Sequence, residues 1–231
     1  TNSNRGWGSS KSEQVNKNYN PDFKEIFDCG PEIEYDHRFR SLPYYSKNMW
    51  PENMDEFKEI VTKFYNKCNN LGIKILNKIA KNLDLSETYF SDKFDLPMAL
   101  LRCNYYPKRP EWAETKDFGV APHTDYGCLT LLFTEGVPGL EIKTLDGNWS
   151  KILTNKEDII INFGDMLELW SNGIIKATSH RVIGSSKERF SIPFFFNPRH
   201  DTIISNNKIN KKILAGEYLS YKYDTTYKHK M

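Results

Sequence analysis

From Pro97 onward the chain is cut into short apolar runs by turn residues, and this pattern limits the fold more than any other feature. Runs at 99–105, 129–133, 140–143, 159–162, 177–183, 189–197 and 202–204 each suit one strand. Between them stand Gly119, Gly127, Pro138-Gly139, Asp146-Gly147, Gly164-Asp165 and Asn172-Gly173, residue types that favour turns. Gly164-Asp165 and Asn172-Gly173 read as structural turns, and Trp170 as core. Strands at this spacing predict a mainly β sandwich or barrel. Ile159 to Ile161, an unbroken apolar run after Asp158, reads as a buried strand.

The chain ahead of the strands has a different period. Over 54–83, Phe57, Val61, Phe64, Cys68, Leu71 and Leu76 fall on a stripe at three- and four-residue steps, opposite Lys, Glu and Asn. This predicts a long amphipathic helix docked on the outside of a sheet. Gly72 interrupts the stripe, which argues against a coiled-coil seam. Ser86 would cap a short second helix running to Phe94. The stretch 28–53, with Pro31, Pro43 and Pro51, reads as a structured loop, and the polar residues 1–22 as weakly ordered. The expected organisation is a partial N-terminal region (1–53), a helical flank (54–96), a β core (97–205) and a helical tail (206–231).

Charge and cysteine usage narrow the partners. In 231 residues the net charge is +2, and no block of like charge suggests a nucleic-acid arm. The most basic patch, 208–212, reads as a solvated loop. No apolar run is long enough to cross a bilayer. Cys29, Cys68, Cys103 and Cys128 are scattered without a Cys-x-x-Cys, and no signal peptide stands at the start. A reducing, cytoplasmic setting is therefore expected.

The chemistry is concentrated in Pro122 to Thr130. His123 and Asp125 lie two apart ahead of Leu129, Leu131 and Leu132. On a strand, such side chains leave the same face. Both suit a divalent metal, and His180 in Thr-Ser-His-Arg-Val is the third candidate. Two imidazoles and one carboxylate with open positions opposite match mononuclear non-haem Fe(II) sites. Arg189 and Ser191 are again two apart, on the apolar run ending at Phe196. A buried guanidinium needs an anion, and its planar fork matches a carboxylate. Phe195 and Tyr126 adjoin these motifs and could line a substrate pocket, whereas Phe194 and Phe196 alternate to the core. His37, His200 and His229 lack such a context.

His123-x-Asp125, His180 and Arg189-x-Ser191 together resemble the isopenicillin N synthase-like branch of the Fe(II)/2-oxoglutarate-dependent dioxygenases. Leu-Arg-Cys-Asn-Tyr-Tyr-Pro (101–107), Val-Pro-Gly-Leu-Glu (137–141), Asn-Phe-Gly-Asp-Met-Leu (162–167) and Trp-Ser-Asn-Gly (170–173) are similar to family motifs in the expected order. The resemblance is dense from about 100 to 201. It implies a double-stranded β-helix, or jelly-roll, with Fe(II) held by His123, Asp125 and His180. It further implies 2-oxoglutarate as cosubstrate, its distal carboxylate on Arg189 and Ser191, with Tyr106 and Asn104 beside it. Ascorbate would be an accessory reductant. The implied reaction converts 2-oxoglutarate and dioxygen to succinate and carbon dioxide while hydroxylating or desaturating a small organic molecule. Two other readings stand beside it: an iron-dependent oxidase that does without 2-oxoglutarate, and a non-catalytic metal-binding scaffold. Family members carry a strand and helices ahead of the region resembling Asn4 to Trp7, so the chain reads as beginning partway into the fold.

Overall fold

The computed structural model describes residues 5–205 and 211–226. Its strands form two antiparallel sheets. The larger contains β1 (Gly6–Gly8), β2 (Glu25–Cys29), β3 (Leu100–Tyr106), β5 (Leu129–Thr134), β8 (Ile159–Phe163) and β10 (Arg189–Phe196), in the order β1-β2-β3-β10-β5-β8. The smaller has the order β4-β9-β6-β7, formed by β4 (Val120–His123), β6 (Leu140–Lys143), β7 (Trp149–Lys151) and β9 (His180–Val182). Inward residues of both sheets line one cavity between them. This is the expected jelly-roll.

The long helix α1 (Asp55–Asn82) lies against β5 and β10. Asp55 and Glu56 in its first turn and Lys81 in its last suit the helix dipole. Val61, Tyr65, Cys68, Leu76 and Ala80 are buried on the sheet side. Gly72 does more than interrupt the stripe. A Cβ there would stand 2.6 Å from Phe196 Cδ1, so the glycine sets how closely helix and sheet approach. Phe194 and Phe196 are fully buried beneath α1, as their alternation predicts.

Several expectations need correction. Over 5–22 the N-terminal segment is packed on the fold, because its charges are paired across it rather than solvated. Glu13, Asp22 and Lys24 are buried together. The stretch after Ser86 forms turns and a 3-10 segment at Ser91–Lys93 rather than an α-helix. Strand β8 is the edge of its sheet, so Ile159 and Ile161 are 40% and 41% exposed instead of buried. Gly164 and Asp165 open a helix, α2 (Asp165–Trp170), rather than a turn. The 202–204 run reduces to one bridge, Ile203 to Leu214. The tail does contain a helix, α3 (Ala215–Thr226), whose Leu219 and Tyr223 line the cavity. His229 and most of the basic patch, 208–210, lie outside the described residues.

Candidate active site

His123 ends β4 and His180 begins β9, and the two residues are cross-strand partners. Asp125 lies beyond the end of β4, in the loop before β5. The i, i+2 strand geometry expected for His123 and Asp125 therefore does not hold. What brings Asp125 back over the histidines is the start of α2. The Asp165 N–H donates to the Asp125 carbonyl (2.8 Å), and the Met166 N–H donates to that of Gly127 (3.0 Å). Gly164 has to be glycine for this contact, since a Cβ would run into the Gly127 carbonyl oxygen.

The result is a compact donor set. Asp125 Oδ1 is 3.9 Å from His123 Nε2 and 3.7 Å from His180 Nε2. The candidate ligand atoms all lie within 4.8 Å of one another. His123 Nδ1 donates to the Ala121 carbonyl at 2.8 Å, and His180 Nδ1 to that of Thr178 at 3.0 Å. A carbonyl only accepts, so each Nδ1 carries a proton, and in the neutral ring that leaves the Nε2 lone pair to bind a metal. Burial, reinforced by the adjacent His180, pushes the pKa of His123 well below the usual imidazole value and keeps it neutral. Neutral imidazoles with a carboxylate form a donor set suited to Fe(II).

A second cluster lies on the larger sheet. Arg189 pairs across strands with Tyr106, and Ser191 with Asn104. Period-2 alternation turns all four into the cavity. The Asn104 amide donates to Ser191 Oγ (3.2 Å), and the guanidinium stands 5.0 Å from the Tyr106 ring centre. Arg189 is 2% exposed, and its Nε donates to the Val137 carbonyl at 3.3 Å. Arg189 Nη1, Asn104 Oδ1 and Asp125 Oδ2 are buried without a hydrogen-bond partner among the described residues. Such groups are costly to leave unpaired, so their convergence on one cavity points to a ligand that satisfies them.

The cavity encloses about 130 Å³. Phe195 and Tyr126 line it, as expected. Tyr126 meets Tyr223 of α3 edge to face, with ring centres 5.8 Å apart. The sequence reading missed Glu13, Lys24 and Arg102 in the wall. Arg102 had a signal, because it precedes Asn104 and Tyr106 at two-residue steps on β3. Glu13 and Lys24 had none, since they reach the cavity only through tertiary pairing. Glu13 bonds Arg102 at 2.8 and 2.9 Å and Lys24 at 3.1 Å. Arg102 also bonds Asp28 at 2.7 Å, and Lys24 bonds Asp22 at 3.0 Å.

Comparison with known proteins agrees with this geometry. Residues 97–198 match the model of the 2OG-Fe(II) oxygenase superfamily. The 2-oxoglutarate-Fe(II) type oxidoreductase hxnY of Emericella nidulans is 33% identical over 212 residues, covering 85% of this chain and 59% of that protein. The homoarginine-6-hydroxylase 2-ODD-C23 of Glycine max is 32% identical, covering 90% of this chain and 68% of that protein. A full-length Neurospora crassa protein, solved in complex with alpha-KG, superposes with a TM-score of 0.83 at 28% identity, covering 98% of this chain and 74% of that one. The chain belongs to the 2OG-Fe(II) oxygenase superfamily. It spans about three fifths of the length of the hxnY relative. Among the described residues no helix is long and apolar enough to cross a membrane.

Proposed function

We propose that this protein is a non-haem Fe(II)- and 2-oxoglutarate-dependent oxygenase acting on a small organic molecule with dioxygen as co-reactant. His123, Asp125 and His180 hold the metal. Arg189 and Ser191, with Tyr106 and Asn104, hold the distal carboxylate of 2-oxoglutarate. The observation that carries this reading is that Arg189 Nη1 and Asp125 Oδ2 are both buried without a partner among the described residues and face one cavity. A carboxylate complements the guanidinium, and a divalent cation complements the Asp125 oxygen.

Bound Fe(II) and 2-oxoglutarate supply the oxidising chemistry, in which the keto acid and dioxygen yield succinate and carbon dioxide while a substrate C–H bond is oxidised. The chain's own residues supply position and electrostatics. The two backbone-anchored imidazoles keep their Nε2 lone pairs aimed at one point. Asp125 adds negative charge there, and the Arg189 fork fixes the cosubstrate's far end. Phe195 and Tyr126 exclude water from the substrate side. No side chain has to act as general acid or base.

The test is an anaerobic titration of Fe(II)-loaded protein with 2-oxoglutarate, following the weak visible metal-to-ligand charge-transfer band. The band is expected, and Arg189→Lys should move the titration to higher concentration. Iron binding without a band would replace this reading with an oxidase that does not use 2-oxoglutarate. Failure to bind iron would overturn this reading, and iron and 2-oxoglutarate binding without turnover would leave a non-catalytic metal-binding scaffold.

A further inference from the structure

Strand β4, which carries His123, is poorly supported by its own sheet. It is an edge strand, pairing with β9 alone among the described residues, and its register shifts between Val120 and His123. An edge strand with a bulge exposes unpaired backbone groups and is free to bend. Yet the histidine at its end has to be held closely for its Nε2 to meet two other donors. The strand's support comes from the N-terminal segment.

That segment runs beside β4 and the residues before it without forming a strand. The Phe23 N–H donates to the Phe118 carbonyl at 2.9 Å, and the Asn20 N–H to that of Lys116 at 3.1 Å. Nearer the histidine, side chains take over. The Ala121 N–H donates to Asp22 Oδ1 at 3.2 Å, and the Asn16 amide donates to the Pro122 carbonyl at 2.8 Å. Ala121 is thus held on both sides, since its own carbonyl accepts the His123 Nδ1–H. Asp22 is itself fixed. It is 1% exposed, its N–H donates to the Glu13 carbonyl at 2.8 Å, and its carboxylate bonds Lys24. Lys24 and Glu13 carry the chain of contacts on to Arg102 in the larger sheet.

We infer that Asp22 and Asn16 are positioning residues for the metal site, clamping the β4 backbone on which His123 stands and bracing it to the larger sheet through Lys24, Glu13 and Arg102. This rests on the reading of His123 as a metal ligand. Partners that orient a ligating imidazole typically change metal affinity about 10–100-fold when removed. Here the direct partner is the Ala121 carbonyl, and Asp22 and Asn16 stand one step further out, holding the backbone that carries it.

Anaerobic Co(II) titration, followed by its visible d–d absorption, tests the inference without turnover. It is run on Asp22→Ala and Asn16→Asp well below their melting temperatures. Asn16→Asp is nearly isosteric and keeps the acceptor for the Asn18 N–H, but it turns an acceptor toward the Pro122 carbonyl. Both variants should bind Co(II) about tenfold more weakly than the wild type. If Asp22→Ala does not fold, Asn16→Asp decides. Variants that melt earlier yet bind Co(II) with wild-type affinity would reduce the clamp to ordinary stabilisation and overturn the inference. Wild-type protein that fails to bind Co(II) would instead overturn the metal reading beneath it.

Discussion

The two halves of the candidate site are built on different principles. The Arg189 half is a cross-strand ladder inside a six-stranded sheet, with neighbours on both sides of β3 and β10. The His123 half is assembled from the end of an edge strand, a loop and the first residue of another strand. In the first, the backbone ladder orients every side chain by alternation. In the second, side chains and helix-start amides do the work that a ladder would do. A site half on a ladder tolerates remote change, whereas one held by scattered polar contacts depends on each of them.

Substitutions in the two halves should therefore differ in what they disturb. Asp125→Ala should abolish iron-dependent succinate formation; retained turnover would remove Asp125 from the donor set. Arg189→Lys exchanges a fork for a point charge and loses a charge-assisted bond of about 1.5–3 kcal/mol. Its 2-oxoglutarate affinity should fall roughly 10–100-fold with Co(II) affinity unchanged. Equal loss of both would show that the halves are not separate. Gly164→Ala forces the Asp125 loop off α2, with an overpacking cost of about 1–3 kcal/mol. Thermal melts and Co(II) titration should show lower stability and weaker metal binding. Unchanged values would mean the loop adjusts freely.

The effect of pH bears on stability and leaves the metal and cosubstrate contacts aside. Glu13 is buried, which by itself would raise its pKa, but Arg102 and Lys24 outweigh burial and hold it well below the usual carboxylate range. Its contribution to stability is therefore present above the unfolded-state value of about 4.3 and is lost as pH falls toward the folded value. Denaturant melts should lose up to about 1.4 kcal/mol per pH unit through this one group below that point. Glu13→Gln should flatten that part of the profile. An identical acid limb in the variant would assign the loss to other carboxylates.

Much of the molecule was legible in the sequence for a local reason. The α1 stripe, the alternation from Arg189 to Phe196 and the turn residues are all read within a few positions of themselves. The same alternation separated Phe195 in the cavity from Phe194 and Phe196 in the core. Local reading failed where exposure depends on neighbours. Ile159 and Ile161 read as buried, but β8 has a strand on one side only. It also failed where order depends on distant partners, as in the polar N-terminal segment, whose Glu13 and Lys24 are buried by Arg102, Asp22 and one another.

The sequence by itself singled out the candidate site residues: two histidines, an aspartate and an Arg-x-Ser, in an order and context that match one superfamily. It determined the β core and the docked helix as well, because side-chain period follows directly from backbone geometry. Only the tertiary structure decided how the donors meet. Asp125 turns toward the histidines because α2 begins beneath its loop, and His123 is held because a segment about a hundred residues earlier grips its strand. Polar contacts between remote segments leave no periodic trace in the chain, so nothing short of the folded backbone could bring them into view.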